Sequence, residues 1–221
     1  MFTEGAGVGA GWAFALGAAL LGAALSPAAE MLIARLVPRL GGTPAPSARI
    51  TTAALTGVAC GAFALRFGAS WTLPAFLFLA ILGVQLARID FLLHLLPNPL
   101  VLALLAGGIA LLLASSAANQ HADNMLRALL GMVILFAGYL ILALISPGAI
   151  GMGDVKLAAP VGLYLGYLDW THLLYGGLLG FILNGVVTIA VVVKKDRKNA
   201  TEVAHGPSML GSVLAISLLV Q

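Results

Sequence analysis

Two aspartates, Asp90 and Asp154, have the surroundings expected of a paired-carboxylate site. Asp90 stands near the end of a long apolar segment, in LARIDFLLHLLPNPL, and Asp154 stands near the start of another, in AIGMGDVKLAAPVG. Two carboxyl groups held close together cannot both ionise cheaply, so one keeps a proton while the other stays charged. The charged group can draw a proton from water while the neutral group donates a hydrogen bond to a peptide carbonyl. Such a pair would hydrolyse an amide bond without a metal ion.

Each aspartate also has a purely structural interpretation. Asp154 could cap the N-terminus of the helix that it begins. Asp90 could form a salt bridge with Arg88 or Lys156. Even if the two form a catalytic pair, the sequence leaves open which carboxyl is the acid and which is the base, because the titration belongs to the pair.

The residues around Asp154 favour a site over a cap. Gly151 and Gly153 come just before it, and glycine lets another chain approach the backbone closely. An extended peptide substrate would need that room beside a catalytic carboxylate. Lys156 can extend toward the membrane interface and favour the ionised form of a neighbouring aspartate.

The segments that must position these aspartates are strongly apolar. Hydrophobic residues make up 61% of the 221 residues and charged residues only 9%, against roughly a quarter charged in ordinary soluble domains. This composition excludes a soluble enzyme, a disordered chain and a disulfide scaffold, and it predicts an all-α polytopic membrane protein. The gaps between apolar segments are too short for a soluble domain, so residues 1–221 are predicted to form a single transmembrane domain. The eight candidate membrane segments are about 7–34, 50–66, 72–89, 98–116, 125–145, 154–168, 172–193 and 206–221.

The basic residues predict the orientation of these segments. With the N-terminus outside, nine of the 11 Lys and Arg residues fall at cytoplasmic helix ends, and only Arg66 and Arg127 fall at outer ends. Basic residues are enriched on the cytoplasmic side of membrane proteins. This topology places Asp90 and Asp154 at the same cytoplasmic depth, and it accounts for the net charge of +3 without nucleic-acid binding. No Lys or Arg precedes the first segment, which is therefore expected to be a retained helix and not a cleaved signal.

Two motifs carry a family resemblance. The segment GMGDVKLAAPVGLYLG resembles the G-x-G-D-V-K-L signature of bacterial type IV prepilin peptidases, which are membrane aspartic proteases of the G-x-G-D type. The segment IDFLLHLLPNPL resembles the family's other motif, with Asp90, Pro97 and Asn98 in the matching places. Weaker similarity lies near ARLVP at 34–38 and HGPSMLG at 205–211. The resemblance implies that Asp90 and Asp154 are catalytic and that Gly151, Gly153, Lys156, Pro97 and Asn98 support them.

The resemblance also implies a substrate and a location. The substrate would be a prepilin or pseudopilin with a short basic leader, cut at the junction with its apolar helix, typically after a Gly. The enzyme would lie in the bacterial cell membrane with its active site facing the cytoplasm. No cofactor and no metal are expected, and the oligomeric state is left open.

One departure from the longer family members concerns a second activity. Those proteins resemble a fusion, in which an insert with paired C-x-x-C motifs lies between the first two spans and the same protein N-methylates the mature pilin. Here that gap is short and Cys60 is the chain's only cysteine. A peptidase without methyltransferase activity is therefore expected.

Three alternatives remain at this stage. A proton-coupled transporter would use intramembrane aspartates as relays, although it would place them near the middle of the bilayer and carry inverted repeats. A catalytically inactive assembly partner is the second, and a presenilin-like or preflagellin-type G-x-G-D protease is the third.

Four further expectations are structural: Glu30 pairs with Arg35 or a neighbouring helix, Asp169 caps the seventh helix, His94 is a polar interfacial residue, and His205 lies in a loop before Gly206 and Pro207 begin the last helix.

Overall fold

Helices account for the described part of the chain. The computed structural model describes residues 4–40, 42–145, 150–193 and 204–220, and these ranges contain no β-strand. The all-α prediction is confirmed. The described residues form eight α-helices: α1 (Glu4–Leu36), α2 (Pro46–Phe67), α3 (Leu73–Leu93), α4 (Asn98–Asn119), α5 (Ala122–Ile145), α6 (Met152–Leu168), α7 (Trp170–Val193) and α8 (Gly206–Leu219). A short 3-10 turn at Pro38–Leu40 follows α1.

Among the described residues, six helices have the length and hydropathy to cross a membrane. A hydrocarbon layer of about 30 Å requires about 20 apolar residues in a helix, and many large apolar side chains on these helices are exposed, as lipid-facing side chains are. The prediction of a polytopic membrane protein is confirmed. The six candidate spans are Gly11–Leu36, Pro46–Phe67, Leu73–Leu93, Asn98–Asn119, Ala122–Ile145 and Trp170–Ala190.

The chain forms two compact units, residues 1–85 and 86–221. In the first unit α1 packs against α2, and Arg49 on α2 donates to the buried carboxylate of Glu30 on α1 at 3.1 Å. The expectation that Glu30 pairs with a neighbouring helix is confirmed. Gln85 on α3 donates to the Ser26 hydroxyl at 3.1 Å. These contacts satisfy polar groups that would be costly to leave unpaired in an apolar setting.

Helix α6 is the central element of the second unit. It packs against α4, α5, α7 and α8, and every residue from 157 to 167 is buried. Gly131 and Gly162 let α5 and α6 approach closely, because a Cβ atom on Gly131 would lie 2.6 Å from the Gly162 carbonyl oxygen. Small residues serve this purpose where membrane helices pack. The sixth predicted segment forms this covered helix, and with 17 residues it is shorter than the six membrane-length helices.

The C-terminal end of α6 is fixed to its neighbours. The Arg127 guanidinium on α5 donates to the carbonyl oxygens of the last three residues of α6 at 2.8–2.9 Å, which satisfies acceptors that a helix end leaves open. Just beyond, the Asp169 side chain accepts a hydrogen bond from the Thr171 backbone N–H at 2.9 Å. Asp169 therefore caps α7, as predicted. With this end fixed, the first turn of α6 lies at the other end of the unit.

Candidate functional site

Asp90 lies in the last turn of α3 and is almost fully buried, with 5% of its surface exposed. Its Oδ2 atom accepts a hydrogen bond from the Gly206 backbone N–H at 2.9 Å. The helix ends three residues later at Leu93, and His94 follows it with a left-handed φ of 48° and donates its N–H to the Asp90 carbonyl at 2.8 Å. His94 is exposed. The end of α3 and the start of α8 therefore meet at the Asp90 carboxylate.

Asp154 is the third residue of α6, and the helix cap is Gly151. The interpretation of Asp154 as the N-cap is therefore wrong. This turn lies outside the six membrane-length helices. Burial raises the pKa of the Asp154 carboxyl to about 6, the negative charge of Asp90 raises it too, and a hydrogen bond from Gly151 opposes both. The raised pKa means that Asp154 keeps a proton more readily than an exposed aspartate would.

Lys156 and Asn98 join the two motifs directly. The Lys156 ammonium donates to the Asn98 side-chain oxygen at 2.9 Å, so the alternative salt bridge from Lys156 to Asp90 is not formed. Asn98 is the first residue of α4, and Pro97 is the extended residue before it. The lysine therefore ties the start of α4 to the start of α6.

The two glycines before Asp154 occupy tight positions. Gly151 has ordinary extended dihedral angles, φ −69° and ψ 144°, so its backbone does not require glycine. A Cβ atom there would lie 3.2 Å from Oδ2 of Asp154, and one on Gly153 would lie 3.1 Å from Cβ of Leu96. Gly151 therefore keeps space beside the carboxylate, whereas the space at Gly153 is taken up by the side chain of Leu96.

A cluster missed by the sequence analysis borders the two aspartates. The Tyr139 hydroxyl on α5 lies 2.9 Å from Nε2 of His205, and Asp154 is close enough to interact electrostatically with the same tyrosine. The His205 and Phe181 rings stand 5.5 Å apart. His205 is buried and immediately precedes Gly206. The only sequence signal for this cluster was the weak resemblance around residues 205–211.

His205 has the predicted position before the last helix, but its ring is not in the open loop that was expected. It lies between helices as expected, and Gly206 and Pro207 do begin the last helix. The ring is packed inside the unit and not in an open loop, because Tyr139 and Phe181 cover it.

The arrangement provides two interacting carboxyl groups beside a backbone N–H donor. A carboxylate can accept a proton from water, and a protonated carboxyl can donate one, so a pair held together can perform both parts of general acid–base catalysis. Among the described residues, no group of three or more His, Cys, Asp or Glu side chains is arranged to hold a metal ion.

Comparisons with known proteins agree with the motifs. A model of the type IV leader peptidase family matches residues 76–192, which include both aspartates. The chain is also 30% identical over 154 residues to a prepilin leader peptidase/N-methyltransferase of Aeromonas hydrophila, an alignment that covers 69% of this chain and 52% of the relative. The chain thus spans about half the length of that relative. No solved structure matches the chain. Because the family model covers more than half of the sequence, this chain belongs to the type IV leader peptidase family.

Proposed function

We propose that this protein is a membrane aspartic endopeptidase that removes the leader peptide from type IV prepilins or pilin-like secretion proteins. One observation carries the proposal. Asp90 and Asp154 stand in the two motifs of a leader peptidase family member, and burial together with the negative charge of Asp90 raises the pKa of the Asp154 carboxyl.

The two carboxyl groups would share the work of hydrolysis. The ionised aspartate takes a proton from a water molecule, whose oxygen attacks the scissile carbonyl carbon while the protonated aspartate donates to the carbonyl oxygen. Collapse of the tetrahedral intermediate breaks the C–N bond, and the amine leaves with a proton returned by the pair. The raised pKa of Asp154 supports this scheme, since one member must be neutral when the other is charged.

The position of the pair supports a cut at the membrane surface. Asp90 is three residues from the end of α3, and Asp154 is in the first turn of α6. Carboxylates at helix ends suit a bond between a basic leader and an apolar helix better than they suit a proton relay across the bilayer, where mid-membrane positions are needed. With nine of 11 basic residues on the same predicted side, this surface is the cytoplasmic one of the bacterial cell membrane.

We further propose that the protein does not methylate its product. The similar protein from Aeromonas hydrophila carries N-methyltransferase in its name. Between α1 and α2 this chain has only nine residues, 37–45, and they include no cysteine. That gap has no room for an insert with paired C-x-x-C motifs like the one that lies between the first two spans of the longer family members.

Purified protein in liposomes provides the test of leader cleavage. The substrate is a synthetic precursor with a basic leader, a Gly and about 20 apolar residues. Mass spectrometry is expected to find a single cut at the junction after the Gly, with the same rate in the presence of a chelator. An intact precursor would contradict the proposed activity, and strong inhibition by the chelator would contradict the two-aspartate mechanism.

A further inference from the structure

We propose that His205 is a positioning residue for the site, because its ring fixes the start of α8 so that the Gly206 N–H holds the Asp90 carboxylate in place. The expected effect on catalysis rests on the proposed function. The geometry on which it depends is independent of that function. Nothing in the two aspartate motifs includes His205, which lies beyond residues 76–192.

The ring of His205 is held by two aromatic residues, Tyr139 and Phe181. Its Nε2 atom lies 2.9 Å from the Tyr139 hydroxyl, and its ring centroid is 5.6 Å from that of Tyr139 and 5.5 Å from that of Phe181. Tyr139 and Phe181 themselves stack at 4.9 Å. Burial lowers the pKa of His205 and so favours the neutral ring, in which one nitrogen can accept a hydrogen bond. Its other nitrogen, Nδ1, is buried without a hydrogen-bond partner among the described residues.

The link from this ring to the carboxylate is short. His205 precedes Gly206 in the chain, and the Gly206 N–H donates to Oδ2 of Asp90 at 2.9 Å. The peptide unit between the two residues is rigid and planar, so the position of the His205 backbone sets the direction of that N–H. A displacement of about 1 Å in a catalytic group can cost roughly 100-fold in rate. The packing of one buried ring therefore controls the orientation of Asp90.

Two substitutions separate positioning from general stability. H205A removes the ring, whereas H205F keeps its contacts with Tyr139 and Phe181 and loses only the hydrogen bond. The matched control is H172A, because His172 is also buried and its Nε2 lies 3.1 Å from the Val220 carbonyl oxygen near the end of α8. Each variant is purified in liposomes and measured for kcat, KM and Tm.

The expected result is a change in kcat that does not follow stability. H205A should lower kcat roughly 10- to 100-fold with little change in KM, since the bond-making groups and not the substrate contacts are displaced. H205F should stay within about fivefold of wild type because it preserves the aromatic packing. H172A should lower Tm and leave kcat unchanged. Wild-type kcat in H205A, or equal kcat losses in H205A and H172A, would overturn the proposal.

A second readout does not depend on cleavage. An apolar carbodiimide reacts with buried carboxyl groups, and mass spectrometry measures its addition to Asp90. Labelling of Asp90 should be about fivefold faster in H205A than in wild type, as expected when one hydrogen bond is lost, and unchanged in H172A. Unchanged labelling in H205A would contradict the positioning role, even if the precursor were never cleaved by wild type and the proposed function had failed.

Discussion

Replacing either Asp90 or Asp154 with Asn should abolish measurable leader cleavage, with kcat reduced roughly 10²- to 10⁴-fold or more, the range of general acid–base catalysis. Asn has nearly the same shape and can still accept the hydrogen bond from Gly206, but it can neither take a proton from water nor donate one as a carboxyl group does. The measurement is the initial rate of precursor cleavage by purified D90N and D154N in liposomes.

The control for these variants is D169N. Asp169 is a half-buried aspartate that caps α7 at the opposite end of α6, so its replacement should leave the cleavage rate unchanged. The D90N/D154N double variant should be no slower than the worse single variant, because residues that act as a unit are not additive. Cleavage at the wild-type rate by either single variant would remove that aspartate from the mechanism.

Replacing Gly206 with Ala is expected to lower kcat roughly 100-fold, the effect of displacing a catalytic group by about 1 Å. A Cβ atom at this position would lie 2.6 Å from Oδ2 of Asp90, well inside van der Waals contact. The Asp90 carboxylate must move away, and its 2.9 Å hydrogen bond to the Gly206 N–H is then lost. The variant is tested in the same cleavage assay, with KM and Tm measured alongside.

Gly211 provides the matched control on the same helix. A Cβ atom on Gly211 would meet nothing within 4 Å, so G211A should cleave at the wild-type rate. Alanine also favours helix by about 1 kcal/mol over glycine, so neither substitution should destabilise α8 by propensity. A G206A protein that cleaves as fast as G211A would show that the close approach of α8 to Asp90 has no role in the reaction.

Hydropathy predicted the helices well because the apolar segments are long and because polar or Pro/Gly-rich residues separate each segment from the next. The third segment was expected to end near residue 89, whereas α3 continues to Leu93. Arg88 and Asp90 lower hydropathy without breaking a helix, so the helix runs on until His94 turns it with a positive φ. Hydropathy also cannot distinguish a helix covered by lipid from one covered by protein. The α6 helix was therefore predictable, but its place as the buried centre of its unit was not.

The aspartates of the site were predictable from the sequence, but the residues that surround them were not. Asp90 and Asp154 stand in motifs with unusual residues at fixed spacing. The Asp90 to Gly206 and Tyr139 to His205 contacts join residues 116 and 66 positions apart, and no periodicity within a helix encodes such contacts. The hydrogen bond from Lys156 to Asn98 could not be predicted either. Both residues were recognised from motifs, but their pairing depends on how α4 and α6 pack.

If Asp90 and Asp154 belong to one site, cysteines placed at the two positions should crosslink. Cys60, the only cysteine, is first replaced by Ala. D90C/D154C is then treated in membranes with a short bifunctional thiol reagent, and a protease site inserted at Gln120 reports whether the two halves stay joined. N98C/K156C is the positive control, since those side chains are 2.9 Å apart, and D90C/D169C is the negative control. We expect the 90–154 pair to stay joined as efficiently as the 98–156 pair. Separation of the 90–154 halves while the 98–156 halves remain joined would contradict it.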